Sequence, residues 1–258
     1  MQGFLERVTV ARRADATRRR AAGALPLAQS AARAAGKPRD FLGALAKPGV
    51  SLIAEIKRAS PSAGDIVPDA RPAELARAYE SGGASAISVL TEPDHFRGSL
   101  DDLREAHDAA RLPVLRKDFL CDPIHVWEAR AAGADAVLLI VAALTQTELV
   151  ALSDLASDLG MAALVEAHSG GEVERAVDAG ARVIGLNTRD LTTLEVDPAT
   201  VAKLRPRVPD GVIVVGESGV ATRQDVLDMK AAGVDAILVG EAVMRAPDPA
   251  AKIRELLG

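Results

Sequence analysis

Charged side chains stand at the ends of several short apolar segments of this chain. Glu55 and Lys57 end the segment SLIAEIK, Lys117 ends LPVLRK, Glu166 ends MAALVE and Glu217 ends VIVVGE. A lysine desolvated beside carboxylates has a tunable pKa, so either lysine can donate a proton while Glu55 or Glu166 accepts one. The pattern therefore indicates acid–base chemistry, provided that the fold brings these segment ends together.

Two glycine-bearing segments, GESGV and LVGEAV, indicate where an anion would bind. Small residues such as Gly219 and Gly240 let backbone N–H groups approach an anion, and a short helix after Gly240 would direct its positive end toward that anion. Ser60 adds a hydroxyl, and Gly64 permits its loop to move. Ordinary glycine turns are the alternative interpretation. We expect the ligand to be a phosphorylated small molecule. Neither of the nucleotide-binding motifs G-x-G-x-x-G and G-x-x-x-x-G-K-S/T occurs, so a nucleotide cofactor is not expected.

Other catalytic chemistries receive less support. No Ser-His-Asp set or Cys-His pair stands at the segment ends, which disfavours covalent serine catalysis. The single cysteine, Cys121, cannot form an internal disulfide, so we expect a reducing compartment, the cytoplasm. His168 lies near Glu166 in the sequence but is interpreted as a surface histidine. The four histidines fall in predicted loops or helices without metal-ligand spacing: His95, His107, His125 and His168.

A repeat in the sequence indicates how these residues are positioned. Four similar segments, SGGASAISVL, AAGADAVLLI, DAGARVIGLN and AAGVDAILVG, begin 50, 47 and 53 residues apart. Each predicts a helix end, a left-handed glycine cap and a strand rich in β-branched residues, with the caps at Gly83, Gly133, Gly180 and Gly233. A second strand precedes each copy. Eight βα units over about 210 residues predict an α/β fold, a (β/α)8 TIM barrel, rather than an open doubly wound sheet.

The barrel interpretation makes the carboxyl ends of the strands the place to look for chemistry. Alternation along the first strand turns Ile53, Glu55 and Lys57 inward, with Leu52 and Ala54 facing the helices. Taken alone, the Glu55–Lys57 pair could be a salt bridge that only closes the barrel mouth. Charges converging from five strands favour catalysis. Helices are expected between the strands at residues 72–81, 123–132, 147–159, 171–179, 198–205 and 222–232.

The first 47 residues differ from the remainder in charge. They contain ten Lys or Arg and three acidic residues, a net charge of +7, whereas the remaining chain carries −12. A transit peptide and a pair of docked amphipathic helices at 5–22 and 27–35 both fit, and we favour the helices, with their arginines in water. We expect an N-terminal helical extension, 1–47, and a barrel domain, 48–258. The arginines concerned are Arg12, Arg13, Arg18, Arg19 and Arg20.

Composition excludes several classes of protein. Of the 258 residues, 48% are hydrophobic and 26% charged, which are ordinary globular values that exclude intrinsic disorder. No apolar run is long enough for a membrane span. Aromatic residues make up only 2%, and the net charge is −5, so a nucleic-acid partner is not expected.

An ordered set of motifs resembles one enzyme family. AEIKRASPS, SVLTEPDHFRGS, LRKDF, LVEAH, IGLNTRDL, GESG and LVGEA occur in this order. From about Val50 to the end, the chain resembles indole-3-glycerol phosphate synthase of tryptophan biosynthesis. The resemblance implies closure of a carboxyphenylamino-deoxyribulose phosphate with loss of CO2 and water, without cofactor or metal.

The resemblance also implies roles for individual residues. Lys117 would protonate the substrate carbonyl as the aromatic carbon attacks it. Lys57, held by Glu55, would bind substrate and assist proton transfer in dehydration. Glu166 would be the partner acid or base near the anilino nitrogen, and Arg189 would help to bind the benzoate carboxylate. Further implied contacts are Asn187, Glu217 and Ser218 for the polar rim, Phe96, Phe119, Leu139 and Leu191 for the aromatic ring, and Ser60, Gly219, Gly240 and Glu241 for the phosphate.

Two features qualify this interpretation. For Leu139, simple packing is favoured over ligand contact. Ala63 stands where many relatives have a basic residue, so the first loop would contribute less to phosphate binding.

One rival function is that of phosphoribosylanthranilate isomerase, which would need a Cys or Asp acid–base pair at the first and middle strand ends. A non-catalytic binder of a sugar phosphate would need the phosphate loops but not the lysines and carboxylates. We expect a monomer.

Overall fold

The computed structural model describes residues 3–189, 195–197 and 199–258, and within them eight parallel strands close into a barrel. Ser51 of the first strand lies opposite Ala236 of the last, and Ile53 lies opposite Ala86 of the second. The predicted TIM barrel is therefore confirmed. The loop after the first strand also contains a short antiparallel hairpin, which the sequence did not predict. The strands are β1 (Ser51–Ile56), hairpin strands β2 (Ala59–Ser60) and β3 (Gly64–Asp65), β4 (Ala86–Leu90), β5 (Val114–Lys117), β6 (Ala136–Ile140), β7 (Ala162–Ala167), β8 (Val183–Asn187), β9 (Ile213–Glu217) and β10 (Ala236–Val239).

Helices separate the barrel strands, and three helices precede β1. The helices are α1 (Phe4–Ala21), α2 (Ala24–Ala34), α3 (Phe41–Leu45), α4 (Pro72–Gly82), α5 (Pro93–Phe96), α6 (Leu100–Ala109), α7 (Pro123–Ala131), α8 (Gln146–Asp158), α9 (Gly170–Asp178), α10 (Ala199–Leu204), α11 (Arg223–Ala231), α12 (Glu241–Met244) and α13 (Pro249–Leu257), with 3₁₀ turns at Val141–Ala143 and Arg205–Arg207. Pro198, the predicted start of one helix, lies outside the described residues. Among the helices described, none has the length and apolar character needed to cross a membrane.

The helix ends carry the signals expected from the sequence. The Thr145 hydroxyl accepts a hydrogen bond from the Glu148 backbone N–H, and the Glu148 carboxylate accepts one from the Thr145 backbone N–H, which completes a capping box at the start of α8. Gly83 leaves α4 with a φ of 93°, and Gly133 follows α7 with a φ of 95°. Because this left-handed conformation strains residues with a Cβ, glycine at these positions ends the helix and directs the chain into the next strand.

Strand residues alternate between two apolar layers. Leu52 and Ala54 pack in the layer between strands and helices, whereas Ile53 and Leu115 fill the barrel interior. Glu55 continues the inward set one step nearer the carboxyl end of β1. The predicted alternation is confirmed, and it places a carboxylate at the end of an apolar interior.

The N-terminal helix is bound to the barrel by a buried ion pair. Arg12 is only 7% exposed, and its Nη2 donates to Asp118 Oδ2 at 2.8 Å. Asp118 also accepts hydrogen bonds from Arg116, at 2.9 Å, and from Thr91. The prediction that Arg12 lies in water is therefore wrong, because the buried Asp118 carboxylate draws a second cation from the extension. The other four arginines are partly exposed and form ion pairs at the surface: Arg13, Arg18, Arg19 and Arg20.

Truncating Arg12 tests the contribution of this ion pair. We expect Arg12→Ala to lower the free energy of unfolding by about 3 kcal/mol, because breaking a buried pair leaves a carboxylate short of a cation. Arg18→Ala, which removes an exposed arginine of the same helix, should change it by about 0.5 kcal/mol or less. Urea denaturation followed by circular dichroism measures both. Equal, small shifts would contradict the assigned role.

Candidate functional site

A cavity of about 550 Å³ opens at the carboxyl ends of the barrel strands. Parallel strands that close into a barrel bring these ends into one ring, so residues distant in the chain meet there. Most of the residues predicted from the sequence line the cavity. These are Glu55, Lys57, Ser60, Phe96, Lys117, Phe119, Glu166, Asn187, Arg189, Ser218, Gly219, Gly240 and Glu241.

Lys117 is at the centre of the charged part of the cavity. Its Nζ lies 2.8 Å from Glu217 Oε2 and 3.4 Å from Glu55 Oε2. Burial alone would lower the pKa of Lys117, but Glu217, Glu55 and Glu166 together raise it above its ordinary value. Lys117 is therefore a cation at neutral pH and holds a proton that it can donate.

Glu55 joins the two lysines. Its Oε1 lies 2.8 Å from Lys57 Nζ, while its Oε2 faces Lys117. Burial favours the neutral acid, but the two ammonium groups hold the pKa of Glu55 below its ordinary value. Gly240 passes so close that a Cβ there would overlap the Glu55 carboxylate. The glycine at the end of β10 thus makes room for the pair.

Glu166, at the end of β7, has a different set of partners. Its Oε1 accepts a hydrogen bond from Asn187 Nδ2 at 3.2 Å and lies 3.1 Å from His168 Nε2. The Asn187 amide is itself oriented, since Oδ1 accepts from Ser218 Oγ at 2.8 Å and from the Arg189 backbone N–H at 3.0 Å. Burial would raise the pKa of Glu166, but His168, assisted by Lys117 and Asn187, lowers it to about 2.

His168 is therefore not the surface histidine that was predicted. Its side chain is 14% exposed and lies between Glu166 and Glu172. Strand β7 continues its alternation beyond Glu166, so the residue two positions on points the same way. The same spacing brought Glu55 and Lys57 together, and it is the sequence signal that could have identified this pair.

Glu217, expected on the polar rim, lies beneath Lys117 and is completely buried. Burial raises the pKa of Glu217 to about 7; Lys117 opposes this effect, and the Glu166 and Glu55 charges add to it. Its Oε1 has no hydrogen-bond partner within the described part of the chain. Gly185, on the neighbouring strand β8, leaves the space that this carboxylate occupies. Glu217 therefore acts on the cavity through Lys117.

Aromatic rings form the apolar wall of the cavity. Phe96 and Phe119 lie with their ring centroids 6.2 Å apart, and Phe4 meets Phe119 edge to face at 6.0 Å. Leu139 packs in the layer between strands and helices, as favoured from the sequence, while its neighbour Leu138 lines the cavity. Leu191 lies outside the described residues.

Backbone turns and small residues also line the cavity. Gly219 has a φ of 77°, and Ser218 before it has a φ of 67°, a conformation uncommon for a residue with a Cβ. Ser60 Oγ accepts a hydrogen bond from the Ala63 backbone N–H. Arg245 lines the cavity as well. Within the described residues, no group of three or more His, Cys, Asp or Glu is arranged to hold a metal ion.

Comparisons with known proteins identify the family. The profile of the family described as "Indole-3-glycerol phosphate synthase" matches residues 5–256. The chain belongs to the indole-3-glycerol phosphate synthase family. The protein of that name from Mycobacteroides abscessus is 52% identical over 245 residues, 95% of this chain and 90% of the relative. The one from Mycobacterium tuberculosis is 50% identical over the same shares. Membership makes the activity that of a carboxy-lyase of tryptophan biosynthesis.

Solved structures resemble this indole-3-glycerol phosphate synthase family member in fold. A mutant tryptophan synthase α-subunit from Pyrococcus furiosus aligns with a TM-score of 0.61 at 18% identity, covering 81% of this chain and 98% of that one. Thiamine phosphate pyrophosphorylase from Pyrococcus furiosus aligns with a TM-score of 0.60 at 21% identity, covering 80% and 93%. At these identities the likeness supports the barrel fold alone.

Besides His168, sequence reasoning missed Phe4 and Arg245, which line the cavity of this synthase-family chain. Phe4 enters the cavity because α1 docks beside Phe119, and no local pattern indicates where a separate helix will dock. Arg245 lies on the short segment after α12, and it pairs with Glu241 at 2.8 Å. A basic residue one turn beyond the predicted phosphate loop was a usable signal for Arg245.

A methyl group at Gly185 tests how strictly the ammonium of Lys117 must be placed. We expect Gly185→Ala to push Glu217 away from Lys117 and to reduce kcat/KM for indole-3-glycerol phosphate formation by about 100-fold, the effect of a displacement of about 1 Å. Gly36→Ala, whose added Cβ would meet nothing within 4 Å, is the matched control. Equal activity of the two folded variants would show that Lys117 does not need Glu217 at this position.

Proposed function

We propose that the cavity at the strand ends is the active site for indole-3-glycerol phosphate synthesis. The reaction closes the ring of 1-(2-carboxyphenylamino)-1-deoxyribulose 5-phosphate and releases CO2 and water. The observation that carries the proposal is the Lys117 ammonium, which is held by Glu217 and Glu55 at the floor of a cavity with one charged side and one aromatic side. Family membership supports the same reaction.

Lys117 is the general acid of ring closure. The ring carbon that carries the carboxylate attacks the substrate carbonyl carbon, so a carbon–carbon bond forms and the carbonyl oxygen takes a proton from Lys117 Nζ. The surrounding carboxylates keep this ammonium protonated until negative charge develops on the substrate oxygen. Departure of CO2 then returns an electron pair to the aromatic ring.

Glu166 and Lys57 serve the dehydration. The hydroxyl formed in the first step leaves as water, which requires one proton delivered to that oxygen and one removed from the adjacent CH2 group. Lys57, paired with Glu55, and the ionised Glu166 are the groups that exchange these protons. Asn187 orients Glu166 for this task through its amide.

The two ends of the substrate bind at opposite ends of the cavity. Arg189 binds the benzoate carboxylate, and the aromatic wall holds the ring. The phosphate lies where the backbone of Gly219 and Gly240 is accessible and where Arg245 supplies positive charge. Residues assigned to substrate binding are Asn187, Arg189, Ser218, Phe96 and Phe119, and those assigned to phosphate are Ser60, Gly219, Gly240 and Glu241. Glu217, expected among the substrate contacts from the sequence, is buried and supports Lys117 instead.

The division of the chain and its assembly are part of the same proposal. Residues 1–47 act as a helical extension of a catalytic barrel formed by 48–258. The protein acts as a monomer; in support, the large hydrophobic side chains that the described residues expose, Val10, Leu27 and Leu227, are single residues on separate helices. A cytoplasmic location fits the free, buried thiol of Cys121.

Replacing Lys117 tests the catalytic assignment. We expect Lys117→Ala to reduce kcat by about 100-fold or more, the usual contribution of a general acid, while indole-3-glycerol phosphate still binds. Formation of the indole ring, followed by fluorescence, measures turnover, and calorimetry measures product binding. Lys230→Ala, on the exposed surface of α11, is the control and should match the wild type.

Three outcomes separate this proposal from its rivals. Loss of turnover with retained product binding supports the role of Lys117 as acid. Unchanged turnover in Lys117→Ala contradicts that role. A wild-type protein that binds the product tightly but never forms it would overturn the proposed function in favour of a non-catalytic binder.

A further inference from the structure

His168 links the candidate catalytic carboxylate to the first turn of the following helix. It lies one residue beyond β7 and two before α9, and its side chain is 14% exposed. Nε2 lies 3.1 Å from Glu166 Oε1, and Nδ1 lies 3.3 Å from Glu172 Oε2. The ring thus lies between two carboxylates. Nδ1 is hydrogen-bonded to Glu172, whereas Nε2 faces Glu166 at ion-pair distance without hydrogen-bond geometry. A protonated imidazole is the state that attracts both carboxylates.

The contact between His168 Nδ1 and Glu172 is fixed, because hydrogen bonds hold the Glu172 carboxylate in place. Its Oε2 accepts from the His168 backbone N–H at 2.9 Å, and its Oε1 accepts from Ser169 Oγ at 3.0 Å. The Ser169 hydroxyl in turn accepts from the Glu172 backbone N–H at the start of α9. These bonds fix the position of the imidazole from the side of the helix.

The inner contact acts on one oxygen of Glu166. His168 Nε2 and Asn187 Nδ2 both approach Oε1, so neither contact engages Oε2, which remains for a ligand in the cavity. The ionisable groups that face this unit are Glu166 on β7, Glu172 on α9, Lys117 on β5 and Glu217 on β9, whose carboxyl is coupled electrostatically to Glu166. Asn187, from β8, is neutral. The imidazole is therefore a cation in direct contact with Glu166, while Lys117 contacts Glu217 and Glu55 and acts on Glu166 only through its electrostatic field.

We propose that His168 is a positioning residue, an imidazolium clamped between Glu172 and Glu166 that holds Glu166 ionised and leaves Oε2 directed at the substrate. The proposal rests on the proposed function, in which Glu166 exchanges a proton with the substrate. It extends that function by assigning the state of Glu166 to a residue outside the lysine–carboxylate cluster.

The direction of the pH effect follows from the two contacts. Burial alone would lower the pKa of His168, but Glu166 and Glu172 raise it to about 10, so the ring stays charged through neutral pH. Reciprocally, the ring lowers the pKa of Glu166. Without the imidazolium, the buried Glu166 takes up a proton at higher pH. Activity that needs the anion is then lost progressively as the pH falls.

The test compares His168→Gln with His168→Lys across pH. Gln keeps a hydrogen-bond donor and removes the charge, whereas Lys restores a cation. We measure kcat/KM of each full-length variant for ring closure and divide it by the wild-type value at the same pH, which cancels ionisation of the substrate. For Gln we expect this ratio to fall toward acid pH, with an apparent pKa raised by about one unit or more above that of the wild type. For Lys we expect a flatter ratio.

Control variants distinguish the effect of losing the His168 charge from a general loss of structure. His107→Gln makes the same substitution on α6, outside the cavity, and should leave the ratio near one at every pH. Circular dichroism confirms folding, and His168→Asn replaces His168→Gln if the latter does not fold. A ratio that is lowered equally at all pH values means a purely structural role and overturns the proposal.

Glu166→Gln keeps the two hypotheses distinguishable. If this variant is inactive while His168→Gln follows the wild-type pH profile, Glu166 retains its proposed role and the inference about His168 is wrong. If Glu166→Gln is fully active, the proposed proton exchange by Glu166 fails, and the inference fails with it. Inactive Glu166→Gln together with a pH-dependent loss in His168→Gln supports both.

Discussion

The structure of this barrel depends on pairing a few buried carboxylates with an even smaller number of cations. Glu55, Glu166 and Glu217 are each buried, and a buried anion is stable only with a cation or strong donors at contact distance. Lys117 contacts two of these carboxylates, and His168 contacts the third. Four strands supply these groups, so the charges can neutralise one another only when the barrel is closed in register. The arrangement that offsets the cost of burial is also the one that provides a proton donor and proton acceptors.

A second buried cluster of charged residues lies on the other side of β5 from Lys117. Alternation turns Arg116 outward and Lys117 inward, and Asp118, next in sequence, joins Arg116 to Arg12 of the N-terminal helix. The same helix sends Phe4 into the cavity against the aromatic wall. The position of α1 and the shape of the cavity are therefore coupled through one short strand. Helix α1 thus contributes to the lining of the cavity as well as to the packing against the barrel.

Local rules explain why much of the site could be predicted. A period of two turned Glu55 and Lys57 to the same side, and left-handed caps such as Gly133 marked where each helix gives way to a strand. The same period, followed one step further along β7, pairs Glu166 with His168. The surface interpretation of His168 is wrong because the alternation of β7 carries on past the last strand residue, Ala167, and turns His168 to the same side as Glu166.

Two features depend only on neighbouring residues: the eight βα repeats, and the side of the sheet that each strand residue faces. The amino-acid sequence therefore specifies both without reference to distant segments. The choice of partners is different. Lys117 meets Glu217 across 100 positions, and Arg12 meets Asp118 across 106. Such contacts form only when the barrel closes and α1 docks, and no short-range pattern encodes either event. The buried state of Arg12 and the entry of Phe4 into the cavity were therefore settled by packing in three dimensions.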